Sequence, residues 1–439
     1  MARTGTSTPL LLRGYRATTG LLGPVSPLLL AWRQRKGKED AARRGERVGI
    51  AGQDRPEGRL IWLHAASVGE TNAALPLITA LRRSHPAQAL LLTTGTVTSA
   101  ELAAARMPEG VIHQYVPLDA PQFVRRFLAH WSPDLALFME SEIWPNLVLE
   151  SAAHSIPLAL VNARMSQRSY ARWRRRPRVA RALFGRFGLV LAQSDVYARR
   201  FASLGAARCR TVGNLKIDAP APAADPDGLE ALRRAVGGRP VFLAASTHPG
   251  EEAAVLEAHA ALAARHEGLL TILVPRHPRR GREAAEAAKA LGLSAQRRSQ
   301  RPLPEPGTEV YVADTIGELG LFYALAPVAF IGGSLVPHGG QNPIEAVRHS
   351  TAVISGPEVA NFALEYEALE SAGGCVLVRD PADLARAVDR LLSDADLRSS
   401  HLRKAHESVD AMGGALARTL EALQPLLEEE QKEKARGDH

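Results

Sequence analysis

Twelve short apolar runs, separated by stretches long enough for helices, limit this chain to an alternating β/α fold. Six come early, at 59–65, 88–94, 112–117, 134–139, 157–162 and 188–193; six come late, at 240–245, 270–275, 309–313, 327–332, 351–355 and 375–378. Their Leu, Val and Ile content marks strands of parallel sheets covered on both faces. Between the two sets lies "DAPAPAADPDGLEALRRAVGG", residues 218–238. Its Ala-Pro repeat suits neither a helix interior nor a central strand and reads as a semi-stiff linker. At 439 residues the chain exceeds one ordinary core. The expected architecture is α/β, with two Rossmann-like, doubly wound domains at 49–217 and 239–439. A basic and apolar segment, 1–48, precedes them, and "LLEEEQKEKARGDH" reads as a charged, frayed tail of the second domain. Ligands of such sheets bind beyond the carboxyl ends of the strands, so the loops there and the cleft between the domains are the places to look.

A net charge of +8 asks for an acidic partner. Aromatic residues are only 5%, too few for the stacking platforms of a single-strand binder, so nucleic acid is not expected. Anionic lipid and the phosphates of a sugar nucleotide fit better. The two cysteines, Cys209 and Cys375, have no metal-ligand spacing and argue against disulfides or structural zinc. Near the N-terminus, Leu10–Leu12 and the Pro-interrupted run 21–32 fall short of the roughly 20 apolar residues that span a bilayer. Arg33, Arg35, Lys36, Lys38, Arg43, Arg44 and Arg47 follow. That combination reads as an interfacial helix on an anionic membrane face, against the plainer alternative of a surface helix with a solvated basic tail.

Chemistry-bearing residues gather at strand ends. "HAASVGE", His64–Glu70, ends a strand with a Ser-x-x-Glu capping pattern. A strict capping box turns Glu70 back onto the Ser67 N–H; a catalytic carboxylate points outward into the cleft. The helix N-terminus favours its ionised form by about 0.3–1 kcal/mol, which predicts a charged Glu70. In "MESEIWPN", Glu140 and Glu142 share a face if the backbone is extended, and either pairs with a neighbouring arginine or serves a site. "NARMSQRSY" places Arg164 and Arg168 one helical turn apart, suited to planar oxyanions. Lys216, in "VGNLKID", carries little weight by spacing alone. Ser246 and Thr247 read as helix caps, with Glu251 and Glu252 favouring the positive helix end. Arg276 and His277 sit at a strand end that suits phosphate or an exposed basic turn equally. "DTIGELG" offers close backbone approach. "IGGSLVPHGGQNPIEA", 331–346, is the densest stretch: six glycines and prolines at one strand end suggest free N–H groups, with Glu345 suited to ribose hydroxyls. No G-x-G-x-x-G follows the first strand of either half, and no Walker, H-E-x-x-H or nucleophile-elbow motif occurs. No metal signature is present.

In order and spacing, "WLHAASVGE", "ESEIWPN", "NARMSQRSY", "GNLKID", "AASTHPGEE", "VPRHP", "DTIGELGLFYALAPVAFIGGSL" and "GGQNPIE" resemble the 3-deoxy-D-manno-octulosonic acid (Kdo) transferases of lipopolysaccharide assembly. The resemblance covers the chain after residue 58, and the N-terminal segment is similar to that family's membrane-associating helix. It implies a GT-B glycosyltransferase with an N-terminal acceptor domain and a C-terminal donor domain. The implied reaction moves Kdo from CMP-Kdo, with inversion, onto the phosphorylated lipid A precursor (lipid IVA). The implied place is the cytoplasmic side of the inner membrane, held peripherally or monotopically. CMP-Kdo is the donor substrate, and no cofactor or metal is implied. By motif, Glu70 matches the general base, and Glu140 and Lys216 match positions that support the transition state. Pro275 and Arg276, Ile316, Gly317 and Glu318, and Asn342, Pro343, Ile344 and Glu345 match the stretches that hold CMP. Gln341 departs from the family pattern, where many relatives have His, and "TTGTVTSA" is a looser form of its Thr-rich loop. Rival readings are a GT-B transferase that uses a UDP-sugar and a non-catalytic binder of lipid A or other polyanions.

Overall fold

The computed structural model describes residues 8–437. It divides into two compact units, Met1–Ala219 with Gly413–His439, and Pro220–Met412. The first holds an all-parallel seven-stranded sheet: β1 (Leu60–Ala65), β2 (Ala89–Thr94), β3 (Val111–Tyr115), β4 (Leu135–Met139), β5 (Leu158–Ala163), β6 (Leu189–Ala192) and β7 (Cys209–Thr211). Its spatial order is β3-β2-β1-β4-β5-β6-β7. The second unit holds β8 (Val241–Thr247), β9 (Leu270–Pro275), β10 (Ala295–Arg297), β11 (Val310–Val312), β12 (Val328–Ile331), β13 (Ala352–Ser355) and β14 (Cys375–Leu377), ordered β10-β11-β9-β8-β12-β13-β14. Helices cover both faces of each sheet, so β1, β4, β5 and β9 are buried along their whole length. This is why these strands read as continuous apolar runs.

All twelve apolar runs form strands. Two edge strands, β7 and β10, have no counterpart among them, because Cys-Arg-Thr and Ala-Gln-Arg are short and polar. Strand order reverses between β1 and β4 in one sheet and between β8 and β12 in the other. At such switch points the connections leave in opposite directions and open a crevice at the carboxyl ends.

Three features differ from the sequence-based picture. The expected linker, 218–238, is mostly helix: Pro226–Val236 is capped by the Asp225 carboxylate on the Gly228 N–H (2.8 Å) and buries Leu232 and Val236. The expected tail of the second domain belongs to the first unit. The helix Ala415–Gly437 buries Leu423 and Leu427 among the helix and strand residues Leu77, Leu81 and Leu90. Asp218 accepts from the N–H groups of Gly414 (2.8 Å) and Leu416 (2.5 Å), and Arg59 donates to the Leu426 and Leu427 carbonyls. Third, Ser246 and Thr247 are not helix caps. The strand β8 runs through them, and Gly250, at φ +99°, is the cap residue of the helix Glu251–Ala263.

The N-terminal segment forms two helices, Leu10–Gly20 and Leu22–Arg35. Polar contacts tie the first to the first unit: Tyr15 donates to Asp119 (2.9 Å), and Arg16 pairs with the buried Glu150 (2.5 Å). Part of the basic cluster is structural rather than solvated. Arg47 is buried, pairs with Glu39 (2.9 Å) and donates to the Gly95 and Val116 carbonyls; Arg43 pairs with Glu46 (2.7 Å). Leu10, Leu11, Leu21, Val25, Leu28 and Trp32 stay exposed beside the exposed Arg35, Lys36 and Lys38. Among the described residues no helix is long and apolar enough to cross a membrane.

Candidate active site

The switch point of the first sheet gathers Glu70, Glu140, Lys216 and Arg164. Glu70 lies in the first turn of the helix Val68–Ser84, which follows β1; Ser67 caps that helix, accepting from the Glu70 N–H at 3.4 Å. The Glu70 carboxylate does fold back, but onto the N–H of Ala66 (2.7 Å) rather than that of Ser67. Burial, with Glu142 and then Glu140 close by, pushes the Glu70 carboxyl up to about 8, against the downward pull of the Ala66 N–H. The charged Glu70 expected from the helix end is therefore corrected. A dipole effect of about 0.3–1 kcal/mol is small when each pKa unit is about 1.4 kcal/mol.

Glu140 follows β4 in the left-handed region, φ +51°, and is buried. Lys216 Nζ reaches its Oε1 at 2.5 Å, and Arg164 Nη1 lies 3.8 Å from Oε2. Lys216 arrives there through Asn162, which sits at φ +52° in β5. The Asn162 Oδ1 accepts from the Leu215 N–H (3.0 Å), and Asn214 accepts from the Lys216 N–H (3.1 Å). Backbone strain of about 1–3 kcal/mol per such residue is thus concentrated where these side chains are aimed. Glu142 points elsewhere, accepting from the Trp144 indole (2.6 Å); burial, then Glu140, raises its pKa as well. Arg168, Arg172 and Arg174 are exposed on a helix, Gln167–Arg174, that buries nothing, and Arg175 and Arg176 after it are exposed too.

In the second unit, the N–H groups at the start of the glycine-rich loop after β12 are not the free ones the sequence suggests. The fully buried Glu251 carboxylate accepts from the N–H groups of Gly333 (2.6 Å), Ser334 (2.9 Å) and Leu335 (2.9 Å), and from His248 (2.8 Å). Asn361 donates to the His338 carbonyl (3.1 Å) and Tyr366 to that of Gln341 (3.0 Å). The loop is pinned from inside. After it, Asn342 Oδ1 accepts from the Ile344 N–H (3.1 Å), and its amide donates to Glu345 (3.2 Å), in the short helix Ile344–Arg348 that Pro343 opens. Pro275 ends β9 and the Arg276 side chain is exposed. Ile316 is exposed and Gly317 has φ +86°, but the Glu318 carboxylate is held by Arg298 (2.7 Å) and Thr315. A cavity of about 570 Å³ lined by Arg239, Gly268 and Glu309 lies at the amino-terminal ends of β8, β9 and β11, the wrong end for a doubly wound sheet's ligand.

Comparison with known proteins decides the family. A family model described as 3-deoxy-D-manno-octulosonic-acid transferase (kdotransferase) matches residues 42–219. The 3-deoxy-D-manno-octulosonic acid transferase of Haemophilus influenzae is 36% identical over 418 residues, 93% of this chain and 98% of that one. That of Bordetella pertussis is 36% identical over 430 residues, 94% of this chain and 100% of its own length. The chain belongs to the Kdo transferase family.

Solved structures extend the fold assignment. A glycosyltransferase from Rickettsia africae aligns with TM-score 0.58 at 12% identity, over 85% of this chain and 99% of that one. The S. aureus protein MnaA, solved with UDP, aligns with TM-score 0.58 at 16% identity, over 84% and 97%. Both place this Kdo transferase family member in the GT-B fold. Of the residues matched to the family's motifs, Glu70, Glu140 and Lys216 converge in the first unit. Pro275–Arg276, Ile316–Glu318 and Asn342–Glu345 stand on three strand-end segments of the second unit. Sequence reasoning passed over Asn162 and His338, and treated Glu251 only as a helix-end charge. An Asn at a strand end, where a left-handed backbone suits it, is the one signal that pointed to Asn162.

Proposed function

We propose that the protein transfers Kdo from CMP-Kdo to a hydroxyl of the phosphorylated lipid A precursor, lipid IVA, with inversion at the anomeric carbon. The observation that carries the reading is the convergence of Glu70, poised to titrate near neutrality, with the Glu140–Lys216 pair at one switch point. A base works best when its pKa lies near the working pH. The acceptor oxygen attacks the anomeric carbon as Glu70 takes the hydroxyl proton. The bond from that carbon to the phosphate oxygen breaks, and CMP departs with the electron pair. Lys216, oriented by Glu140, supplies positive charge to the transition state. CMP is held by Pro275–Arg276, the backbone of Ile316–Glu318 and Asn342–Glu345. The exposed Leu10, Leu21, Leu28 and Trp32, flanked by Arg35, Lys36 and Lys38, would lie in the interface of an anionic inner membrane on its cytoplasmic side.

Incubating the purified protein with lipid IVA and CMP-Kdo and weighing the lipid product tests this directly. A product heavier by one or more Kdo residues is expected, with CMP but not UDP inhibiting. Transfer from a UDP-sugar, or lipid binding without CMP-dependent transfer, would overturn it.

Lys216→Met provides an independent check. It leaves Glu140 buried with only the more distant Arg164 to balance it, a loss of about 2–4 kcal/mol, toward the low end for a broken buried pair. Turnover is expected to fall about 100- to 1,000-fold. Adding Glu140→Gln should recover much of the stability in urea denaturation and none of the turnover.

A further inference from the structure

We propose that His248, His277 and His338 form a phosphate subsite that takes up a proton with a phosphate dianion, the leaving group of the transfer described above. The inference rests on reading the second unit as the nucleotide-binding one. His248 follows β8 and is buried, while His338, on the pinned loop after β12, is exposed. Their ring centroids lie 3.7 Å apart with planes tilted by 32°, and the His277 ring lies 6.5 Å from that of His248. Gly333 makes room for the pair: a Cβ there would lie 3.1 Å from His248 Cδ2 and 3.4 Å from His338 Cδ2, on a backbone at φ +69°. The Gln341 amide nitrogen lies 3.2 Å from His248 Nε2. That nitrogen can only donate, so Nε2 carries a lone pair and the ring is neutral.

The surroundings explain this. Arg276, Arg279 and Arg280 follow β9, and among the described residues only Arg280 is paired with a carboxylate, with Glu252 (3.3 Å) and Glu283 (2.9 Å). The Glu251 carboxylate is committed to the loop N–H groups. Burial, then His338, Arg276, His277 and Arg280, push the His248 pKa down to about 4. Burial, then Arg276 and Arg279, lower that of His277. Three imidazoles and three guanidiniums therefore share one group of strand ends with little negative charge to balance them. A phosphate supplies what is missing. The donor's phosphodiester carries one negative charge, and CMP, once the bond breaks, carries nearly two at neutral pH, since a phosphomonoester has a second pKa of about 6. The acceptor's proton goes to Glu70; the proton bound by the histidines comes from solvent and offsets the charge gained by the departing phosphate.

Calorimetric titration of CMP into the full chain at about pH 7.5, repeated in buffers of different ionisation enthalpy and with cytidine in parallel, tests the subsite. The expected result is uptake of roughly half a proton or more per CMP and almost none with cytidine. His338→Asn and His277→Asn change exposed side chains and should fold normally. Each is expected to weaken CMP binding about tenfold, as loss of one charge-assisted contact does, and to reduce the uptake. Binding of CMP without proton uptake, or unchanged uptake and affinity in both variants, would overturn the subsite and leave the donor reading standing. Failure of the wild-type protein to bind CMP would overturn both.

Discussion

Replacing Glu70 by Gln is expected to lower turnover about 100- to 10,000-fold while leaving the fold in place. The Gln oxygen can still accept from the Ala66 N–H, and the Ser67 cap is untouched, but an amide cannot take the acceptor's proton. In the wild type, kcat/KM should rise with pH to a plateau above about 8, where the carboxyl ionises. Because Glu142 is the neighbouring charge that raises Glu70 most, Glu142→Gln should move that limb to lower pH. Stability supplies a second readout. The folded-state value, about 8, stands above the unfolded value of 4.5. The protonated carboxyl therefore stabilises the fold fully below the unfolded value, and that contribution is lost as pH rises through about 8. Gln stays neutral throughout, so Glu70→Gln should melt several degrees above the wild type near pH 8.5 and close to it near pH 5. A variant with near-wild-type turnover would remove Glu70 as the base.

The largest effect on stability is expected at Glu251, which does no chemistry. Glu251→Ala leaves the N–H groups of His248, Gly333, Ser334 and Leu335 without their acceptor inside the second unit. Each buried donor left unpaired costs about 1–3 kcal/mol. The sum is a large share of the 5–15 kcal/mol that typically holds a domain. Urea denaturation should show the second unit unfolding early or not folding at all, with CMP binding lost alongside. Glu251→Gln, which keeps one acceptor oxygen but turns N–H groups toward donors, should fall between. An Ala variant as stable as the wild type would mean that the carboxylate does not anchor the loop.

The parallel sheets were readable because burial on both faces writes itself into sequence as uninterrupted Leu, Val and Ile. The three-residue strands β7 and β10 lack that mark. Motif order pointed to Glu70, Glu140 and Lys216, but their chemistry was not readable. Lys216 meets Glu140 only because Asn162 adopts a left-handed backbone and anchors the turn between them. The raised pKa of Glu70 depends first on burial and then on carboxylates some 70 residues away in sequence, against a local helix-end effect of the opposite sign. The glycine-rich stretch 331–346 misled for a similar reason. Its Gly333, Ser334 and Leu335 N–H groups are satisfied by a carboxylate about 80 residues earlier, which local reading assigns to a helix end.

The return of the last helix to the first unit sets an order of events during synthesis. Leu423 and Leu427, which cover part of that unit's apolar surface, are translated only after the whole of Pro220–Met412. The second unit is contiguous and can close as it leaves the ribosome, whereas the first must wait with an uncovered apolar strip until the helix Ala415–Gly437 has emerged. A chain interrupted between Met412 and the helix Ala415–Gly437 would carry one complete half and one sticky half, a natural client for chaperones.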